Sequence, residues 1–387
     1  MGYRAMKRKV CVITGTRAEY GILAPVMEAI RSSKHFNLYV VATGMHLMTE
    51  FGYTVKEIER DGFSVYAKID ISHAQDKGGA MADGVGRGTS KFVRCFQRLR
   101  PDFILTLGDR GEVLAAAVAA NYMNIPVVHI HGGEVSGHVD GVVRHAITKL
   151  AHIHFPATQK ARERILRLGE EPWRVMVAGA PALDRILNDQ VMPKQTLLKK
   201  YRLDPRQPLG LLVQHPVHSQ IKEAGKQIQS TLQAIVDLKL QTVVVYPNAD
   251  AGGRAMIKVL GKFKKYLFLK HYKSIPHADY LGLLKIASVL IGNSSSGIIE
   301  AASFRLPVIN IGCRQEGRER SVNVIDVPHE KRIIARVIQK VIHDQKFRRR
   351  VKQCRNPYGD GKASGRIVKF LGKVNLNNRL IQKKITY

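Results

Sequence analysis

The sequence predicts an α/β chain built from two doubly wound halves, each a parallel sheet with helices on both faces. Three observations carry that expectation. Short apolar runs of four to eight residues alternate with amphipathic stretches of helical period through both halves. The alternation breaks once, at a Pro- and Lys-rich stretch over 192–207, and then restarts. The chain has 387 residues, enough for two ordinary cores, and the alternation is the only repeat.

The elements follow in order. Lys9–Thr14 reads as a buried strand and Thr16–Ser32 as a helix. Phe36–Thr43 is a second strand, Thr49–Arg60 a helix, and Phe63–Ile69 strand-like. Gly86–Leu99 is helical, Phe103–Leu107 a strand, Glu112–Tyr122 a helix and Pro126–Ile130 a strand. Val175–Ala178 is expected to lead, through Gly179, Ala180 and Pro181, into a hinge near 178–208. The second half then reads as strand Leu209–Val213, a helix over Gly225–Asp237 and strand Gln241–Tyr246. Further strands are expected at Leu267–Lys270, Val289–Ile291 and Val308–Ile311.

Composition excludes several classes. Hydrophobic residues make up 45% of the chain, which argues against disorder as the main state. The longest apolar runs are of strand length, well short of a membrane span. The N-terminal basic residues lead into an apolar run that breaks at Thr14-Gly15, too short for a secretory signal core. The four cysteines, Cys11, Cys95, Cys313 and Cys354, lack metal-ligand spacing, and scattered cysteines suit a reducing cytosol.

The formal net charge is +31, and residues 331–387 alone carry 17 Lys or Arg against two Asp. Such charge suits a polyanion binder. In Lys331–Val351, however, the basic residues alternate with apolar ones at helical spacing, as on the solvated face of an amphipathic helix. No zinc finger or aromatic RNA-binding motif accompanies them, so nucleic acid is not expected as the main partner. Attraction of a dianionic substrate accounts for part of the charge.

In doubly wound sheets ligands sit beyond the carboxyl ends of strands, and the chemistry-bearing residues here do follow strands. The first strand ends in Thr14-Gly15-Thr16-Arg17-Ala18-Glu19, which is not the GxGxxG of nicotinamide sites. Its backbone amides and Arg17 could hold a phosphate, or Arg17 could sit in a surface ion pair. The loop Gly108-Asp109-Arg110-Gly111-Glu112 places a carboxylate before a helix, as a catalytic group or as a cap. The densest segment, from His129 to Asp140, holds His131, two glycines, Glu134 and Asp140. A metal is the rival reading, but His129 and His131, like His152 and His154, alternate across a strand and so face opposite ways. No metal is expected.

In the second half, Gln214-His215-Pro216 and Pro247-Asn248-Ala249-Asp250 end strands, and Gly292-Asn293-Ser294-Ser295-Ser296-Gly297 precedes a helix with Glu300. Three serines and a glycine exceed what a helix cap needs, and suit a pyrophosphate.

Taken together, TRAEYG (16–21), GDR (108–110), HIHGGEVSG (129–137), RHAITKLAH (144–152), QHP (214–216), PNADAG (247–252), GNSSSG (292–297) and NPYGDG (356–361) resemble the hydrolysing UDP-N-acetylglucosamine 2-epimerases. That group includes bacterial sialic- and legionaminic-acid pathway enzymes and the epimerase half of the animal epimerase/kinase. The resemblance implies a GT-B-type fold, two Rossmann-like domains with the active site in the cleft between them. The expected division is 1–177 and 178–361, with a final helix within 362–387 packing back on the first domain.

The implied reaction converts UDP-N-acetylglucosamine and water to N-acetylmannosamine and UDP, by elimination to a glycal and rehydration, without a cofactor. The alternatives are the same reaction on UDP-2,4-diacetamido-2,4,6-trideoxyglucose, or a glycosyltransferase of the same fold. The resemblance assigns Asp109, His131, Glu134, Asp140 and His215 to catalysis. To the substrate it assigns Arg17, Glu19, Arg110, Asn248, Ser294, Ser295, Gly297, Glu300 and Arg314. It also implies a homo-oligomer, a dimer or tetramer. Two departures stand out: His131 occupies a position where the animal enzyme carries Glu, and Gly111 one where an aromatic is common.

Overall fold

The computed structural model describes residues 7–71, 78–135, 139–187 and 191–387, apart from the side chains of Val139, Asp140 and Leu187. Its first sheet contains β1 (Arg8–Thr14), β2 (Phe36–Thr43), β3 (Val65–Ile69), β4 (Phe103–Leu107), β5 (Val127–Ile130) and β6 (Ile153–Phe155). The second contains β7 (Gly210–Val213), β8 (Thr242–Val245), β9 (Leu269–Tyr272), β10 (Val289–Gly292), β11 (Val308–Ile311) and β12 (Val324–Val327). The orders are β3-β2-β1-β4-β5-β6 and β12-β11-β10-β7-β8-β9, with every pairing parallel. In each sheet the order reverses at one place, beside β1 and β4 in the first and beside β7 and β10 in the second. The loops leaving those strands therefore open a crevice at a switch point.

Burial explains the strand pattern. Val10, Val12, Phe103, Leu105 and Val128 share one core with helix Arg17–Ser32, while Cys11, Ile13, Ile104 and Val127 belong to the core on the other face of the sheet. Strands covered on both faces read as unbroken apolar runs. Helix Arg17–Ser32 starts from a capping box: Thr16 Oγ1 accepts from Glu19 N–H, and the Glu19 carboxylate accepts from Thr16 N–H. Helix Ala363–Lys373 crosses back from the second half and packs against it, adding Ile367 and Leu371 to the first core. Buried Arg174 ties the tail beyond by donating to the carbonyls of Leu380 (2.8 Å) and Arg379 (2.6 Å).

Several elements differ from expectation. Thr49–Arg60 is a short 3-10 turn, Thr49–Phe51, and a separate helix, Val55–Arg60, because Gly52 takes a left-handed φ of 102° between them. Val175–Ala178, which leads toward the expected hinge, is tied to the first sheet by a single bridge from Val175 to His154. The strand expected at Leu267–Lys270 lies two residues later, with exposed Leu267 left in the turn before it. Helix Gly78–Leu99 starts ahead of the expected Gly86. Among the described residues no helix is long and apolar enough to cross a membrane.

Candidate active site

The loops at the two switch points face each other across a cleft of about 510 Å³. From the first half, the loop after β1 presents Arg17 and Glu19. Among the described residues Arg17 has no ion-pair partner; its guanidinium lies 5.0 Å from the ring centre of Tyr280, on the other half, as a cation–π contact. Glu19 Oε2 accepts from the backbone N–H groups of Gly15 (2.8 Å) and Thr16 (3.1 Å). Burial, reinforced by neighbouring Glu112, pushes its carboxyl up to about 8.

The loop after β4 supplies Asp109, Arg110 and Glu112. Asp109 does not cap the following helix: Arg110 is the N-cap residue, and Asp109 Oδ2 accepts from Arg144 instead. Arg110 Nε donates to Glu112 Oε1 at 2.8 Å, and its Nη2 reaches Asp250 Oδ1 of the second half at 3.1 Å.

After β5 the chain turns at His131, whose φ of 62° is left-handed, a conformation in which His is enriched among non-glycine residues. The turn removes His131 from the strand, so it does not alternate with His129 as expected. His129 is buried behind, with Nε2 donating to Gly108 O at 2.7 Å. His131 lines the cleft, its Nδ1 lies 2.8 Å from Glu134 Oε1, and its buried Nε2 has no hydrogen-bond partner among the described residues. Glu134 does not line the cleft but supports His131 from beneath, forming an ion pair with Arg318 at 3.0 Å. Asp140 lies in the first turn of helix Val139–Leu150, with its side chain outside the described residues.

In the second half, His215 Nδ1 accepts from Asn248 N–H at 3.1 Å. Burial, then Arg314, lowers its pKa to about 3, so the ring is neutral and carries its hydrogen on Nε2. Asn293 pins this loop, accepting from His215 N–H at 2.7 Å and donating to His215 O at 2.9 Å. Burial opposes the charge on Asp250, yet Arg110 and Arg314 hold its pKa below the usual range. Ser294, Ser295 and Glu300 line the cleft, Ser295 makes no side-chain cap bond, and Glu300 Oε1 lies 3.8 Å from His277 Nε2. Arg314 Nη1 donates to Asn293 O at 3.2 Å. Gly297 lies behind the wall, where a Cβ would come within 2.8 Å of Val308 Cγ1. Its place in the chain serves close helix–strand packing.

The structure thus gathers Asp109, His131, His215, Arg17, Glu19, Arg110, Asn248, Ser294, Ser295, Glu300 and Arg314 around one cavity, with Glu134 and Gly297 behind it. Sequence reasoning missed Glu112, Arg144, Tyr280 and Arg318. Glu112 lies in the loop that carries Asp109 and Arg144 opens the RHAITKLAH motif, so both could have been found there; Tyr280 and Arg318 carry no local signal. Among the described residues no group of His, Cys, Asp and Glu is arranged to hold a metal ion. What the cavity offers is cationic and hydroxyl donors for an anion, and carboxylate and imidazole groups within reach of what that anion carries.

Comparison with known proteins agrees with this chemistry. The family model described as UDP-N-acetylglucosamine 2-epimerase matches residues 28–372. A UDP-N,N'-diacetylbacillosamine 2-epimerase (hydrolyzing) of Legionella pneumophila is 39% identical over 382 residues, covering 99% of this chain and 100% of that one. A GDP/UDP-N,N'-diacetylbacillosamine 2-epimerase (hydrolyzing) of Campylobacter jejuni is 38% identical, over 83% of this chain and 84% of its own. Among solved structures, UDP-GlcNAc 2-epimerase from Neisseria meningitidis bound to UDP-GlcNAc superposes with a TM-score of 0.81 over 95% of this chain and 100% of that one. At 19% identity it speaks for the fold alone.

Proposed function

The chain belongs to the UDP-N-acetylglucosamine 2-epimerase family, and from that premise we propose that it is a hydrolysing UDP-sugar 2-epimerase. It takes a UDP-linked 2-acetamido sugar and water to UDP and the free 2-epimer. The observation that carries the reading is the convergence on one cavity of Asp109 and His131 from the first half with His215, Ser294, Ser295, Glu300 and Arg314 from the second.

The reaction sets the physical demands. The C2 hydrogen is not next to a carbonyl and is not acidic. The C1–O bond must therefore weaken as the C2 proton leaves, building positive charge at C1 and negative charge on the departing diphosphate. A base takes the proton, the C2–H pair becomes the C1=C2 bond of a glycal, and the C1–O pair leaves with UDP. Water then supplies hydroxyl to C1 and a proton reaches C2 from the other face. In this reading Arg17, Arg110 and Arg314 stabilise the diphosphate, and His215 donates to it from Nε2. Ser294, Ser295 and Glu300 hold the nucleotide, with Asn248 and Glu19 at the margins of the sugar and phosphate. Asp109 and His131 serve the proton transfers, and Asp140 is assigned to share them. The first unit spans 1–177 and the second, UDP-holding unit 178–361. The enzyme works in the cytosol as a homo-oligomer.

UDP-N-acetylglucosamine is the leading substrate. A second, UDP-2,4-diacetamido-2,4,6-trideoxyglucose, is favoured by one feature: Met45, Met48, Phe51, Ile71, Met81 and Leu114 form an apolar wall of the cavity, suited to a 6-methyl and a 4-acetamido group. Incubation with each UDP-sugar alone, followed by product analysis, tests both. Release of equimolar UDP and a free 2-epimer from one of them is expected. Intact donor, or hydrolysis with C2 unchanged, points instead to a glycosyltransferase.

A further inference from the structure

We infer that Arg318 is a positioning residue for proton transfer at His131, acting across the cleft through Glu134. The inference rests on the epimerase reading above and deepens it. Glu134 belongs to the loop after β5, whereas Arg318 lies between β11 and β12 on the opposite half. The Glu134 carboxylate, 4% exposed, sits between the two, 2.8 Å from His131 Nδ1 and 3.0 Å from Arg318 Nη2. Among the described residues the one other cation touching this residue, Arg144, donates to its backbone carbonyl (3.1 Å) and to Asp109, not to the carboxylate. Burial pushes the Glu134 carboxyl up, but Arg318, and after it His131, outweigh that and hold it below its ordinary value.

The tautomer of His131 follows. An ionised carboxylate only accepts hydrogen bonds, so Nδ1 carries the hydrogen and donates to Glu134. Nε2 then keeps its lone pair, buried in the cavity wall and met by no hydrogen-bonding group among the described residues. His215 is the mirror case: Asn248 N–H occupies its Nδ1, so its Nε2 carries the hydrogen. The cleft is thus faced by one imidazole that accepts and one that donates. Without the charge of Arg318, the buried carboxyl of Glu134 would favour its neutral form. A protonated Glu134 donates to Nδ1 and drives the imidazole hydrogen to Nε2, the wrong end for a base.

During turnover the C2 proton moves to His131 Nε2 while the C–H electron pair forms the C1=C2 bond and the C1–O pair departs on UDP. The resulting imidazolium keeps its Nδ1–H on Glu134, then loses the Nε2 proton to solvent, balancing the negative charge gained by UDP. Because Arg318 comes from the second half, the tautomer of His131 in the first depends on the contact between the two.

The test uses the full chain labelled with ¹⁵N-histidine and saturated with UDP, with two-bond ¹H–¹⁵N correlations reporting each tautomer and His131→Gln identifying the signal. The wild type is expected in the Nδ1–H form. Arg318→Met is expected to shift His131 toward Nε2–H and to lower kcat by at least ~10²-fold, the scale of a misoriented catalytic imidazole, with KM within about threefold. Arg318→Lys should recover part of both. Glu134→Gln should give the same signature, and serves if Arg318→Met does not fold. A variant that keeps the Nδ1–H form, or a raised KM at unchanged kcat, overturns the inference and makes Arg318 a substrate contact. Failure of the wild type to release UDP from either sugar nucleotide sinks the epimerase reading instead, whatever the tautomer.

Discussion

Arg110 Nη2 lies 3.1 Å from Asp250 Oδ1, so a guanidinium rooted after β4 bridges to a carboxylate rooted after β8 on the other half. The same guanidinium holds Glu112 at 2.8 Å, and Glu112 in turn crowds Glu19. One half-buried cation therefore organises a carboxylate group drawn from three loops and both sheets.

Arg110→Met should destabilise the protein by about 3–5 kcal/mol, the cost of leaving buried carboxylates without their partner. Urea unfolding at pH 7.5 measures it. A loss under about 1 kcal/mol would mean that the pair behaves like an exposed one.

Asp109→Asn should lower turnover by at least ~10²-fold while leaving the thermal midpoint close to wild type. Its carboxylate faces the cleft and pairs with Arg144, and the amide keeps that contact but cannot exchange a proton. Activity within a few-fold of wild type would reduce Asp109 to a structural partner.

Gly292→Ala should weaken UDP binding more than tenfold. Gly292 has φ 126°, and a Cβ there would lie 2.1 Å from the Val213 carbonyl oxygen. The strain must move Asn293 to Ser296, the segment that pins His215 and presents the serines. Calorimetric titration with UDP reads the effect; unchanged affinity would place the nucleotide elsewhere.

Stability should fall as pH drops from 6.5 toward 3 through three buried imidazoles. Burial holds His46, His129 and His215 at about 3, against an ordinary value of 6.5. Between these limits the unfolded chain binds protons that the native rings refuse, so unfolding gains with each step down in pH; above 6.5 their effect is flat. At pH 5 each ring removes on the order of 2 kcal/mol. Urea midpoints at pH 8 and pH 5 check the sign, and His46→Gln should narrow the difference. Equal midpoints would mean that the rings titrate freely.

Much of the frame was legible because its physics is local. Buried parallel strands are continuous apolar runs, and Phe36–Thr43, Phe103–Leu107 and Val308–Ile311 fall where that pattern puts them. The loops that line the cleft announce themselves by Gly, Ser, Asp and Arg directly after such runs. What stayed hidden depends on distant partners. The helix was expected only from Gly86, yet it runs from Gly78, and its Gly88 serves distant packing, since a Cβ there would press within 3.1 Å of Ile71 and 3.2 Å of Ala115. Nothing near Arg318 or Asp250 in sequence tells that one meets Glu134 and the other Arg110 across the cleft.

The most direct trial of the account is turnover of the accepted UDP-sugar in heavy water, with the free sugar read by mass and proton NMR. Elimination and rehydration predict one deuterium at C2 of the inverted product, with UDP released one for one. A product that keeps its original C2 hydrogen, or an epimer still joined to UDP, would contradict it.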